Sequence, residues 1–189
     1  MKNIAIFVSG TGSNARKIIE YFQDHPTINC PLLISNKATA PALEMAKTHG
    51  LQTLVLQRKT FYEETTLLED LAAVDIDFIV LAGFLWLIPN YLIAAYPQKM
   101  VNIHPALLPK YGGKGMYGHH VHQAVKDNQE TTSGITIHYV NEHYDEGAII
   151  FQASCAIDPA DSAQTIGQKV LQLEHQHFAP QIEKILMAT

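Results

Sequence analysis

Apolar residues fall along this chain in short unbroken runs separated by longer stretches of helical spacing. Asn3 to Val8 is continuous and rich in β-branched or bulky members, the pattern of a strand buried on both faces of a parallel sheet. Ser13-Asn14 then opens a helical spacing through Ile18, Ile19 and Phe22. Pro31 to Ile34 reads as a second strand, and Pro41 to Ala46 as a helix that stops at Gly50. Thr53 to Leu56 predicts a third strand, Phe61 to Ala73 one polar-faced helix, and Phe78 to Ala82 and Met100 to Ile103 the fourth and fifth strands. Strand and helix in this alternation predict a doubly wound, mostly parallel α/β sheet.

After residue 110 the pattern changes. Gly134 to Val140 alternates strictly, which predicts a strand with one exposed face. Ala148 to Ala153 follows the turn-rich YDEG, so an antiparallel C-terminal extension is expected. Asp161 or Ser162 caps a last helix through Leu171, Leu173 and Ile182. No repeat, low-complexity tract or linker interrupts the chain, and residues 1–189 are expected to form a single domain.

Composition narrows the classes. A chain of 189 residues with 47% hydrophobic and 16% charged content can bury one real core. Lys and Arg number 13 against 18 Asp and Glu, without the basic excess of a nucleic-acid-binding face. Cys30 and Cys155 give no disulfide framework and suit a cytoplasmic location. The apolar N-terminal run is short and ends in a Gly-rich turn, so it reads as a strand rather than a signal peptide. The stretch IDFIVLAGFLWLIP falls short of the ~20 residues of a membrane helix. Neither a nucleic-acid nor a membrane partner is expected, and a monomer and a homodimer are both open.

Five stretches carry candidate chemistry. Ser9-Gly-Thr-Gly-Ser-Asn14 lies between the first strand and the first helix, where glycines allow close approach and free amides attract an anion. Its glycine spacing fits a dinucleotide fingerprint, but Ser35-Asn36-Lys37 stands where that motif needs an acidic residue. A phosphate site is expected there, and a tight turn with a capped helix is the alternative. Asn102 and His104 sit two apart at the end of the fifth strand, so they share a face at the edge where open α/β sheets bind ligands; a structural histidine is the other reading. Asp145 lies in a turn able to return a carboxylate to that edge; an ordinary hairpin-turn Asp is the other reading. His119, His120 and His122, with His175 and His177 as a second pair, lack the usual zinc-ligand spacing and are expected to line the cleft, with no metal. Gly83 to Ile88 is unusually apolar for a loop, either core or one wall of a pocket for a flat ligand.

Together SGTGSN, SNK at Ser35, LAGF at Leu81, NIHPALLP at Asn102 and HYVNEHYDEGAII from His138 resemble the glycinamide ribonucleotide transformylases, folate-dependent formyltransferases of purine biosynthesis. The resemblance covers nearly the whole chain and implies a Rossmann-like fold. It implies that Asn102, His104 and Asp145 form the catalytic set. Gly12, Ser13, Asn14 and Glu174 would hold the ribotide, glycinamide ribonucleotide. Lys59, Leu85, Trp86, Leu87, Ile88 and Asn102 would hold the co-substrate 10-formyltetrahydrofolate. YGGKGMYGHH is expanded relative to the family pattern, and Trp86 stands where a basic residue is frequent. Another folate-dependent amine formyltransferase, a formyltetrahydrofolate hydrolase and a non-catalytic nucleotide-binding module are the competing readings.

Overall fold

The computed structural model describes residues 1–188. Its elements in chain order are β1 (Lys2–Val8), α1 (Ser13–Phe22), β2 (Ile28–Ser35), α2 (Pro41–Thr48), β3 (Gln52–Val55), α3 (Arg58–Glu63), α4 (Thr66–Ala72), β4 (Ile76–Leu81), α5 (Asn90–Ala95), β5 (Met100–His104), α6 (His119–Asp127), β6 (Thr132–Tyr139), β7 (Ile149–Ala156) and α7 (Ala163–Met187). One seven-stranded sheet has the order β3-β2-β1-β4-β5-β6-β7. The first five strands pair in parallel, while β6 runs antiparallel to β5 and β7 antiparallel to β6. The chain starts mid-sheet, winds out to β3, then crosses to β4. Strand order therefore reverses between β1 and β4, and a crevice opens at their carboxyl ends.

Both faces of the sheet are covered. Ile4, Ile6, Val8, Val101, Ile103, Ile135 and Ile137 join α1, α2, α6 and α7 in one apolar layer. Ala5, Phe7, Ile79 and Leu81 join α3, α4 and α5 in the other. This double burial is why β1 needs apolar residues in succession rather than in alternation. Among the described residues no helix is long and apolar enough to cross a membrane.

Three departures from the sequence reading have physical causes. The single helix expected from Phe61 to Ala73 is two, broken at Glu64, whose backbone is extended (φ −127°, ψ 166°). On one continuous helix Phe61 and Leu67 would point roughly 120° apart; broken, each turns its residue into the core. The exposed face expected for β6 is absent. Thr136 is fully buried, and its hydroxyl donates to Ala106 O (2.7 Å) and accepts from Leu108 N (3.0 Å) and Gln152 Nε2 (2.8 Å). The loop after β5 thus covers the polar side of the strand. Finally, α6 was not anticipated; its signal is the i, i+4 pair Val121 and Val125, both buried.

Candidate active site

One cavity of about 980 Å³ opens over the carboxyl ends of β1, β4 and β5. Ser9, Gly10 and Asn14 border it on one side and Gly83, Phe84 and Leu85 on another. Asn102, His104 and Asp145 lie on its wall, with Gly113 to His119 and the α7 positions Gly167, Val170 and Glu174 closing it.

Strand geometry assembles the centre. Asn102 and His104 share one face of β5, and the antiparallel register sets His138 opposite Asn102 and Thr136 opposite His104. The connection from β6 to β7 then doubles back. Gly147 lies so close to Tyr139 O that a Cβ there would come within 1.6 Å of it, so only glycine fits. Asp145, left-handed at φ 59°, is delivered by this turn to the pair on β5.

Its carboxylate meets four groups. Oδ2 accepts from Gly113 N (2.9 Å) and faces His104 Nδ1 (3.4 Å). Oδ1 accepts from Asn102 Nδ2 (3.4 Å) and faces His138 Nε2 (3.6 Å). Burial pushes the Asp145 carboxyl up, but His138, His104 and the Gly113 amide together hold it below its ordinary value, so it stays ionised. His104 is 3% exposed, and its Nε2 donates to Tyr111 O at 2.7 Å. Burial is the largest influence on this imidazole and lowers its pKa; Asp145 and the Tyr111 carbonyl pull the other way without overcoming it. Asp145 therefore favours the charged ring in the sense the sequence suggested, but the ring starts from a value depressed by desolvation.

At the far end Gly12 takes the left-handed conformation (φ 74°) as N-cap of α1, with no side chain capping the helix. The first amides of the helix are thus left for a ligand. Gly10 and Asn14 reach the cavity; Gly12 and Ser13 are not on its wall. Asn14 Nδ2 donates to Glu174 Oε2 at 2.7 Å, while Asn14 Oδ1 is buried without a partner. Glu174 is 8% exposed, and burial raises its pKa against the Asn14 hydrogen bond.

The apolar loop divides. Leu85 lines the cavity, but Trp86, Leu87 and Ile88 do not. Trp86 packs among Phe61, Tyr62 and Phe84 with the Arg58 guanidinium 5.4 Å from its ring centroid, and Ile88 is in the core. Lys59 on α3 is exposed and off the wall. His119 and His122 line the cavity and His120 does not. His177 lies against Phe151, ring centroids 5.0 Å apart. Among the described residues no three His, Cys, Asp or Glu side chains are grouped to hold a metal ion. Sequence reasoning missed His138 as part of the centre, together with the Tyr111 carbonyl and the Gly113 amide. The signal for His138 was its alternation with Thr136 on a strand paired with β5.

A family of proteins described as formyl transferase matches residues 2–182. The chain is 40% identical over 184 residues to a chloroplastic phosphoribosylglycinamide formyltransferase of Arabidopsis thaliana, covering 94% of this chain and 63% of the relative. A relative of the same description from Vigna unguiculata is 37% identical, with 97% and 61% covered. The chain thus spans about three fifths of the length of these two. The phosphoribosylglycinamide formyltransferase of Bacillus subtilis (strain 168) is 34% identical over 191 residues, with 98% of this chain and 95% of the relative covered. The crystal structure of the protein of that name from Bacillus halodurans superposes with a TM-score of 0.88 at 34% identity, covering 98% of this chain and 95% of the other.

Proposed function

This chain belongs to the formyl transferase family, and from that premise we propose that it carries the formyl group of 10-formyltetrahydrofolate to the amine of glycinamide ribonucleotide, a step of purine biosynthesis. The observation that carries this reading is the convergence of Asn102, His104 and Asp145 on the wall of one cavity, between the α1 N-terminus and the loop after β4. The α1 amides and Asn14 suit an anionic phosphate, and Glu174 beside Asn14 suits ribose hydroxyls. Leu85 with Gly83 and Phe84 gives an apolar border for the pterin, backed by Trp86 to Ile88; a contact from Lys59, which is exposed and off the wall, rests on the family resemblance alone.

The amine nitrogen attacks the formyl carbon, a C–N bond forms, and the formyl oxygen takes up negative charge. Asn102 Nδ2–H and His104 Nε2–H are the donors for that oxygen, His104 exchanging the Tyr111 carbonyl for it. One such preorganised donor is worth about 3–4 kcal/mol. Asp145 favours the protonated ring and directs the proton passing from the attacking amine to the leaving N10 of the folate as that bond breaks. The histidines at 119, 120 and 122 have no metal-binding part in this scheme.

The test is incubation with 10-formyltetrahydrofolate, with and without the ribotide. Deformylated folate and formylated ribotide in equal amounts are expected only when both substrates are present. Deformylation without an amine would make the protein a hydrolase. Ribotide binding with no turnover would leave a nucleotide-binding module.

A further inference from the structure

His138 is buried at 2% exposure and is not on the cavity wall, so it meets no substrate directly. Its ring is nevertheless tied to the centre at both nitrogens. Nδ1 lies 2.8 Å from Tyr139 O. A carbonyl only accepts, so Nδ1 carries the proton, and in the neutral ring Nε2 is a bare acceptor. That Nε2 lies 3.1 Å from Asn102 Nδ2, and Asp145 Oδ1 lies 3.4 Å from the same nitrogen. Two acceptors therefore converge on one end of the Asn102 amide. Only the NH2 group satisfies both; the reversed amide would press its oxygen against a lone pair and a carboxylate.

We infer that His138 is a positioning residue that locks the Asn102 side chain with its NH2 group inward: one N–H is held by His138, and the other, on the longer 3.4 Å contact to Asp145, is the one that turns to the formyl oxygen. Asp145 cannot do this alone. Its contact with Asn102 is the longer of the two, and its carboxylate also serves Gly113 and His104. His138 Nε2, nearer to Asn102 Nδ2 (3.1 Å) than to Asp145 Oδ1 (3.6 Å), is the dedicated acceptor, its ring oriented through Nδ1–H by the backbone of its own strand. This rests on the proposed reaction only where turnover is measured.

Two measurements on the full chain test it. Long-range proton–nitrogen NMR correlations near neutral pH, with His138 assigned by its loss in a variant, should show a proton on Nδ1 and none on Nε2. A proton on Nε2, alone or in a doubly protonated ring, overturns the inference, because Asn102 would then face a donor. This arm needs no turnover, so it stands even if formyl transfer is not found. For the second, His138→Asn keeps an amide near the Nδ1 position to serve Tyr139 O but leaves nothing near Nε2. His138→Gln places a carbonyl near the Nε2 position. The Asn variant should lose at least ~10-fold in kcat, with both KM values within about 2-fold of the parent. The Gln variant should recover most of that loss. Equal impairment of the two folded variants, or parental turnover in the Asn variant, overturns the role. Should either variant fail to fold, the tautomer measurement on the parent decides alone.

Discussion

Asp145 is one carboxylate facing two imidazoles, a side-chain amide and a backbone amide, and its charge organises all four. Asp145→Asn keeps the size of the side chain while removing that charge. The influence that raises the His104 pKa is then gone and the depression by burial remains, so the pKa falls further below its ordinary value. A smaller fraction of protonated donor survives near neutral pH. Turnover should drop at least ~100-fold, the scale for losing an electrostatic stabiliser of an oxyanion. Binding of both substrates should weaken much less, because the charge matters most in the transition state. NMR titration of His104 in parent and variant checks the cause, and an identical pKa in the two would reduce Asp145 to a turn residue. That Asn102 and His104 share a face was legible from strand alternation, which is a local pattern; the turn alone left Asp145 open, and only the family resemblance joined it to the pair. The partners that finish the site were not legible: which residue faces Asn102 from β6, and which carbonyl meets His104 Nε2, depend on register and loop packing.

At the scale of elements, the loop from β1 to α1 separates two glycine roles. A Cβ on Gly10 would meet nothing within 4 Å, whereas one on Gly12 would lie 2.6 Å from Ala42 Cβ, at a left-handed φ of 74°. Gly10→Ala should change stability by no more than about 0.5 kcal/mol. Gly12→Ala should lose on the order of 1–3 kcal/mol and also raise the ribotide KM, since α1 must shift away from α2. Urea unfolding of the pair gives the comparison, and equal midpoints would refute the close approach of the two helices. The last helix gives a milder test. Ser162 Oγ accepts from Thr165 N at 3.0 Å, so Ser162→Ala should remove about 1 kcal/mol in the same assay. The start of α7 was readable to within one residue, Asp161 or Ser162, and the start of α2 from Pro41, because such signals sit in adjacent residues. The break between α3 and α4 was not readable, since no Gly or Pro marks it and the cause is which core residue each short helix turns inward.

Across the whole molecule, titratable groups buried or half-buried in and near the cavity pull stability in opposite directions with pH. Burial lowers the pKa of His104, His122 and His175. As pH falls below the ordinary value of about 6.5, the unfolded chain binds protons that these folded imidazoles refuse, and stability is lost on acidification. Glu174 acts with the opposite sign. Its carboxyl is raised by burial, so the folded state takes up a proton first and gains stability as pH falls through that raised value. Their separate effects appear in the slope of stability against pH rather than in its absolute value. His122 suits the first measurement because its buried Nδ1 makes no hydrogen bond that a variant would forfeit. His122→Leu should flatten the fall in urea midpoint between about pH 7 and pH 5, since one refused proton is removed. Glu174→Gln should steepen the fall in the acid range above the ordinary carboxylate value, because the compensating uptake is gone. Parallel slopes in parent and His122→Leu would show that this imidazole titrates alike in the folded and unfolded chain and is not held neutral by the packing of α6 against α7.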